Sequence, residues 1–185
     1  MKKTSLILAV VMSFALCGTV CAADTPIESS IEAFTKQIEN NPDAALAYSN
    51  RASLKFLKKD VQGAIADFDK AIQINPNNPE LYLNRGYIKQ IANDLNGAMQ
   101  DYNTALKVRP NFAYAYNNRG VLKVAMKDIQ GAMDDYAKAL ELNPRYSDVY
   151  YNRGNLKFML SDNEGALDDY NKAIELNPKD SEAFN

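Results

Sequence analysis

The chain has 185 residues, 46% apolar and 24% charged, with 21 Lys and Arg against 23 Asp and Glu. That composition is globular, and a formal charge of −2 gives no footing for nucleic acid or an anionic membrane as a partner. There is no His, which removes imidazole as a catalytic base and as a metal ligand.

The first predicted element is a leader. Lys2 and Lys3 precede a mostly apolar run from Leu6 to Leu16, and Thr19-Val20-Cys21-Ala22-Ala23 follows. This order predicts a secretory signal peptide over 1–23, cut after Ala22 or Ala23. The run is shorter than the ~20 apolar residues of a spanning helix, which favours export over an anchor. Leu16 and Val20 precede Cys17 and Cys21 where bacterial lipoprotein signals usually carry a small residue, which disfavours lipidation. Cleavage removes both cysteines, leaving packing alone to hold the chain, and takes away two of the basic residues. The expected location is a bacterial periplasm, the cell envelope or the exterior. A membrane is met only through an uncleaved or lipidated N-terminus.

After the leader, residues 24–44 carry one helix. Ile31, Phe34 and Ile38 give Ser29 to Asn40 an apolar face at helical spacing. Four repeats then follow at 45–78, 79–112, 113–146 and 147–180, each 34 residues long. Asn-Arg recurs at Asn50-Arg51, Asn84-Arg85, Asn118-Arg119 and Asn152-Arg153, and Gly-Ala at Gly63, Gly97, Gly131 and Gly165. Each repeat predicts two helices. In the first, Ala45 to about Lys58 is one helix, and Asp60 caps a second that carries Ala64, Ile65, Phe68, Ala71 and Ile72. Asn75-Pro76 stops that helix, because the residue before proline is pushed out of the helical region. Ser29–Asn40 matches only the second helix of a repeat and is expected to cap the first. Ser181–Asn185 begins a further first helix. Repeat arrays cover their last apolar face with a modified terminal unit. Here Tyr170, Ala173 and Ile174 are expected to lack such cover.

The run Tyr150-Tyr-Asn-Arg-Gly-Asn, with Gly165-Ala-Leu-Asp-Asp-Tyr-Asn-Lys-Ala-Ile-Glu-Leu-Asn-Pro178 after it, resembles a tetratricopeptide repeat. The resemblance covers nearly all of the chain beyond the leader. It implies an all-α, right-handed superhelical solenoid of antiparallel helix pairs. It also implies that first helices line a concave groove for protein or peptide partners.

Three charged columns are constant. Arg51, Arg85, Arg119 and Arg153 form one, Lys55, Lys89, Lys123 and Lys157 another, and Asp67, Asp101, Asp135 and Asp169 the third. Arg and Lys four apart share a helix face. In an antiparallel pair turning near Asp60, Asp67 falls between Arg51 and Lys55. An Arg–Asp–Lys bridge inside each pair is therefore expected, in preference to a basic ladder for an acidic ligand. The family pattern favours apolar or aromatic residues at the Arg and Lys positions, so the chain departs from it there.

The Asn column has two open roles, holding a ligand's backbone in the groove or bridging neighbouring helices. Groove candidates are Asn50, Ser53 and Phe56, then Leu83, Asn84 and Tyr87, with Ser49 and Gln90 beside them. Further along they are Asn117, Asn118 and Val121, then Tyr151, Asn152, Asn155 and Phe158, with Val124 beside them. This set is apolar, aromatic and amide-bearing, and suits an extended segment or a helix with aliphatic or aromatic anchors. The family's clamp for C-terminal carboxylates needs Lys where Ser49, Leu83, Asn117 and Tyr151 stand, which argues against that mode.

No cofactor, metal, small-molecule substrate or catalytic residue is implied. Acidic pairs such as Asp134-Asp135 read as helix faces with one member in the ion-pair column. The expectation is an exported interaction scaffold, with self-association through its C-terminal repeat as the alternative.

Overall fold

The computed structural model describes residues 26–178. The leader at 1–23 and the segment 181–185 lie outside them. The described residues form nine helices and no strand. They are α1 (Pro26–Asn40), α2 (Ala45–Leu57), α3 (Val61–Ile74), α4 (Pro79–Ile91), α5 (Leu95–Val108), α6 (Ala113–Ala125), α7 (Ile129–Leu142), α8 (Ser147–Met159) and α9 (Asn163–Leu176). No helix among them is long and apolar enough to cross a membrane.

The chain divides into two compact units, one running to Leu81 and the other starting at Tyr82 within α4. In the first unit α1 packs on α2 and α2 on α3. Ile38 is the buried residue of α1, and Ala52 of α2 and Ala64, Phe68 and Ala71 of α3 are fully enclosed. In the second unit each helix from α5 to α9 packs on the next, and α6 also touches α8. Leu83, Ala98, Tyr102, Leu106, Phe112 and Leu122 form one core cluster there. Ala132, Tyr136, Leu140, Tyr146, Val149 and Leu156 belong to the next.

Small residues set the helix spacing. Ala64, Ala98 and Ala132 have no exposed surface, so the paired backbones approach to alanine distance. Gly86, Gly120 and Gly154 allow a closer approach still. A Cβ on them would stand 2.9, 2.7 and 2.8 Å from the rings of Tyr102, Tyr136 and Tyr170. The first repeat has Ala52 and Phe68 in these two columns.

The turn inside each pair is built the same way four times. Asp60, Asp94, Asp128 and Asp162 accept the backbone N–H of Gly63, Gly97, Gly131 and Gly165 at 2.9–3.0 Å, satisfying one free donor of the second helix. One residue earlier the backbone is left-handed, with φ of 68°, 65°, 64° and 65° at Lys59, Asn93, Lys127 and Ser161. That conformation lets the Asp60 N–H reach back to the Lys55 carbonyl at 2.9 Å and close the first helix. A side chain pays roughly 1–2 kcal/mol for it, and Asn pays less than Lys. Lys127→Gly is therefore expected to stabilise the protein by about 1 kcal/mol, read as a higher midpoint in urea unfolding. An unchanged or lower midpoint would show that the turn carries no such cost.

Candidate binding surface on the first helices

The basic residues of the first helices are committed inside their own pairs. Arg51 grips Asp67 through two parallel hydrogen bonds, Nε to Oδ2 at 2.8 Å and Nη2 to Oδ1 at 2.7 Å. Lys55 Nζ meets the same carboxylate at 2.8 Å. Arg85 and Lys89 hold Asp101 at 2.6–2.9 Å, Arg119 and Lys123 hold Asp135 at 2.7–2.9 Å, and Arg153 and Lys157 hold Asp169 at 2.7–2.9 Å. The four carboxylates are 3–5% exposed, so each is a buried charge answered by two cations.

The remaining faces of the guanidinium groups are covered. Tyr48, Tyr82, Tyr116 and Tyr150, each three residues before its arginine, place their rings 5.4–5.8 Å from the guanidinium carbon. Arg51 also donates to Thr35 on α1 at 3.1 Å, and Arg119 to Asn103 on α5 at 2.7 Å, so the first ties its pair to α1 and the second ties its pair to the preceding one. The hydrogen bonds to Asp67, Asp135 and Asp169 raise the pKa of Arg51, Arg119 and Arg153. Burial pushes the Asp169 carboxyl up, but hydrogen bonds and charge from Arg153 and Lys157 outweigh it and hold the group below its usual value.

The remaining side chains of the first helices form the candidate surface. In the first unit Asn50, Ser53 and Phe56 are half-buried on α2. Ser49 donates to the Leu46 carbonyl and Ser53 to that of Ser49, both at 3.0 Å. In the second unit Asn84, Tyr87, Asn118, Val121, Tyr151, Asn152 and Asn155 are half-buried. Burial raises the pKa of the Tyr87 hydroxyl.

Two candidates do not belong to an open surface. Leu83 is 3% exposed and sits in the core with Ala98 and Tyr102. Asn117 is 5% exposed, and its Oδ1 accepts from Asn152 Nδ2 at 2.9 Å across α6 and α8. Their column also holds half-buried Ser49 and Tyr151, so its depth changes from repeat to repeat. The Asn117–Asn152 bond gives Asn152 the bridging role, while Asn118 accepts a longer bond of 3.4 Å from Asn117.

Phe158 stands apart. It is 62% exposed and lines a cleft of about 360 Å³ between α8 and α9 with Leu167 and Tyr170. On α9, Leu167 is 59% and Ile174 is 40% exposed, whereas Ala173 is buried and Tyr170 half-buried, so Ala173 is covered against expectation. No group of side chains able to hold a metal ion exists among the described residues.

Family profiles match most of the chain. The profile described as tetratricopeptide repeat matches residues 113–146 and 147–180, and the one described as TPR repeat matches 53–90 and 91–127. The chain belongs to the tetratricopeptide repeat family. Its fold class is the all-α TPR solenoid, a protein–protein interaction scaffold and typically a non-enzymatic one. Among solved structures, MamA from Desulfovibrio magneticus RS-1 superposes with a TM-score of 0.71 at 17% identity, covering 81% of this chain and 85% of that one. YrrB, described as a TPR protein with an unusual peptide-binding site, gives 0.65 at 23% identity over 83% and 79%. The first TPR of Spaghetti (RPAP3), bound to the HSP90 peptide SRMEEVD, gives 0.60 at 25% identity over 63% and 93%. No curated protein gives a significant match.

Two outcomes follow from the ion pairs. Asp101→Ala removes the buried carboxylate that Arg85 and Lys89 share, and is expected to cost about 3–5 kcal/mol in urea unfolding. Wild-type stability in that variant would mean the pair is held by other forces. Asp169 titrates lower in the folded than in the unfolded state, so its contribution is full above the ordinary carboxylate value of about 4. That contribution is lost as pH falls through the lowered folded value. Helicity followed by circular dichroism should therefore be constant from about pH 8 to 5 and fall only below about pH 4. A transition centred near pH 6 would contradict it.

Proposed function

We propose that this protein is an exported scaffold that docks an uncharged stretch of a protein or peptide partner on its first helices. The observation that carries this reading is the commitment of every Arg and Lys of α2, α4, α6 and α8 to an Asp of the same pair. What remains on those faces is Asn, Ser, Val, Tyr and Phe, a mixture of apolar contact area and adaptable hydrogen bonding. Peptide binding in YrrB and in the RPAP3 TPR supports a peptide or protein as the partner class. The peptide bound by the latter is acidic. The paired basic columns here favour a neutral partner segment.

Export is supported by Lys2-Lys3, the Leu6–Leu16 run and Ala22-Ala23, which fit a signal peptide and a destination in a bacterial periplasm, cell envelope or the exterior. The experiment is expression in a bacterial host, fractionation and mass measurement of the intact protein. Loss of the first 22 or 23 residues with recovery outside the cytoplasm is expected. An intact Met1 protein in the cytoplasm would overturn this part.

The docking face is tested by photo-crosslinking from position 151 in cell envelopes, with a probe at exposed Gln130 on α7 as the contrast. A partner captured from 151 and not from 130 is expected. Capture from 130 alone would put docking on the wrong face. Once that partner is in hand, its affinity should change less than about threefold between 0.1 and 0.5 M salt, because the paired charges contribute little to encounter. A steep salt dependence would assign recognition to charged residues elsewhere.

A second reading is favoured by one observation, the exposed apolar set Phe158, Leu167 and Ile174. That set suits self-association through α9. Light scattering at high concentration separates the two, since a strict monomer removes the second reading.

A further inference from the structure

A column of aromatic rings backs the first helices, and its hydroxyl groups are treated differently in one repeat. The Tyr102 hydroxyl donates to Gln90 Oε1 at 2.9 Å. The Tyr170 hydroxyl donates to Asn155 Oδ1 at 2.9 Å. Phe68 holds the same position in the first repeat and has no hydroxyl to satisfy. Tyr136 is the exception. The position of Gln90 is taken by Val124, and that of Asn155 by Val121, so neither answering amide is present. Tyr136 is 1% exposed, yet no described residue accepts a hydrogen bond from it. No side-chain oxygen is both fully enclosed and unpaired among the described residues, so this hydroxyl must reach the edge of open space.

The open space is a pocket of about 150 Å³ between α6 and α8, with Tyr136 on its wall. Val121 and Val124 form the α6 side, and Met159, Asn152 and Asn155 the α8 side. Its size is on the scale of a benzene-sized guest, about 150 Å³ in an engineered apolar cavity. No charged side chain lines it. The nearest cations on these helices, Arg119, Lys123, Arg153 and Lys157, are locked to Asp135 and Asp169. A carboxylate entering here would meet valines and two neutral amides but no free cation, and an ammonium group would meet no free anion. An aliphatic side chain meets apolar walls, and the backbone carbonyl beside it meets a donor.

We infer that the α6–α8 pocket is a subsite for one branched or long aliphatic side chain of a partner segment, whose neighbouring backbone carbonyl accepts the Tyr136 hydroxyl. The inference rests on the reading of the first helices as the docking face and adds the chemistry of what enters. Burial raises the pKa of the Tyr136 hydroxyl, with the Asp135 charge adding to the shift, so it remains a donor at neutral pH. The other repeats show what sets this pocket apart from its neighbours in the column. Gln90 and Asn155 answer their tyrosines from within the chain, while Val121 and Val124 leave the answer to a ligand.

The test uses the full chain labelled at its Val and Met methyl groups. It is titrated to millimolar with amidated Gly/Ser decapeptides carrying a single central Leu, Ala, Asp or Lys. The Leu peptide is expected to shift the methyl resonances of Val121, Val124 and Met159, and to bind at least about tenfold more tightly than the Ala, Asp and Lys peptides. Tyr136→Phe, a ring already used at Phe68, should weaken the Leu peptide roughly three- to tenfold. Val124→Gln recreates the Gln90–Tyr102 pair and should abolish the methyl shifts. Thermal unfolding of both variants serves as the folding control.

Equal binding of the Leu and Asp peptides, or unchanged affinity in both folded variants, overturns the subsite. So does a Leu peptide that shifts no methyl group in the pocket. If the Leu peptide shifts no pocket methyl group but is captured by the photo-crosslinker at position 151, the subsite falls and the docking face stands. Shifts confined to second-helix residues such as Met99 and Met133 overturn both.

Discussion

Each helix pair depends on a buried carboxylate held by two cations from the opposite helix. Burying a charge is costly unless geometry and hydrogen bonding repay it. Here the repayment is complete by geometry: two parallel bonds from the arginine, one contact from the lysine, and a tyrosine ring over the guanidinium. The helix spacing that permits it comes from alanine and glycine columns, and the register comes from the turn capped by Asp60 and its counterparts. A pair with a slipped register would leave three charges unanswered. The ion pair therefore selects one alignment of the two helices as well as stabilising it.

The same arrangement shapes function. Cations that would make the first helices a basic surface are drawn to the inside of each pair. In the proposed docking mode, recognition falls to side chains that differ from repeat to repeat: Ser53, Tyr87, Val121 and Asn155 in one column, Phe56, Gln90, Val124 and Phe158 in another. These two columns also decide whether the tyrosine behind them is answered within the chain. Constant columns build the pairs, and variable columns set what each part of the face can hold.

The helix pairs were legible because a 34-residue period brings caps, small residues and proline stops into register, and each has a local physical meaning. The 16-residue separation of Arg51 and Asp67, straddling a turn at Asp60, carries the information for a cross-helix pair, and the structure places these groups 2.7 Å apart. Depth was not legible. Leu83 and Asn117 share a column with Ser49 and Tyr151, but the first two are buried because packing between neighbouring helices, which no single-column reading contains, closes over them. The Tyr136 pocket had a signal that only a comparison of three columns reveals: a tyrosine kept where both of its amide partners have become valine.

The most direct test of the central claim is a double-mutant cycle in urea on Arg119→Met and Asp135→Asn. If the pair is the constraint described, each single variant loses stability and the double variant loses less than the sum, with a coupling of about 2 kcal/mol or more. Losses that simply add, with coupling near zero, would contradict it and leave apolar packing as what aligns the helices.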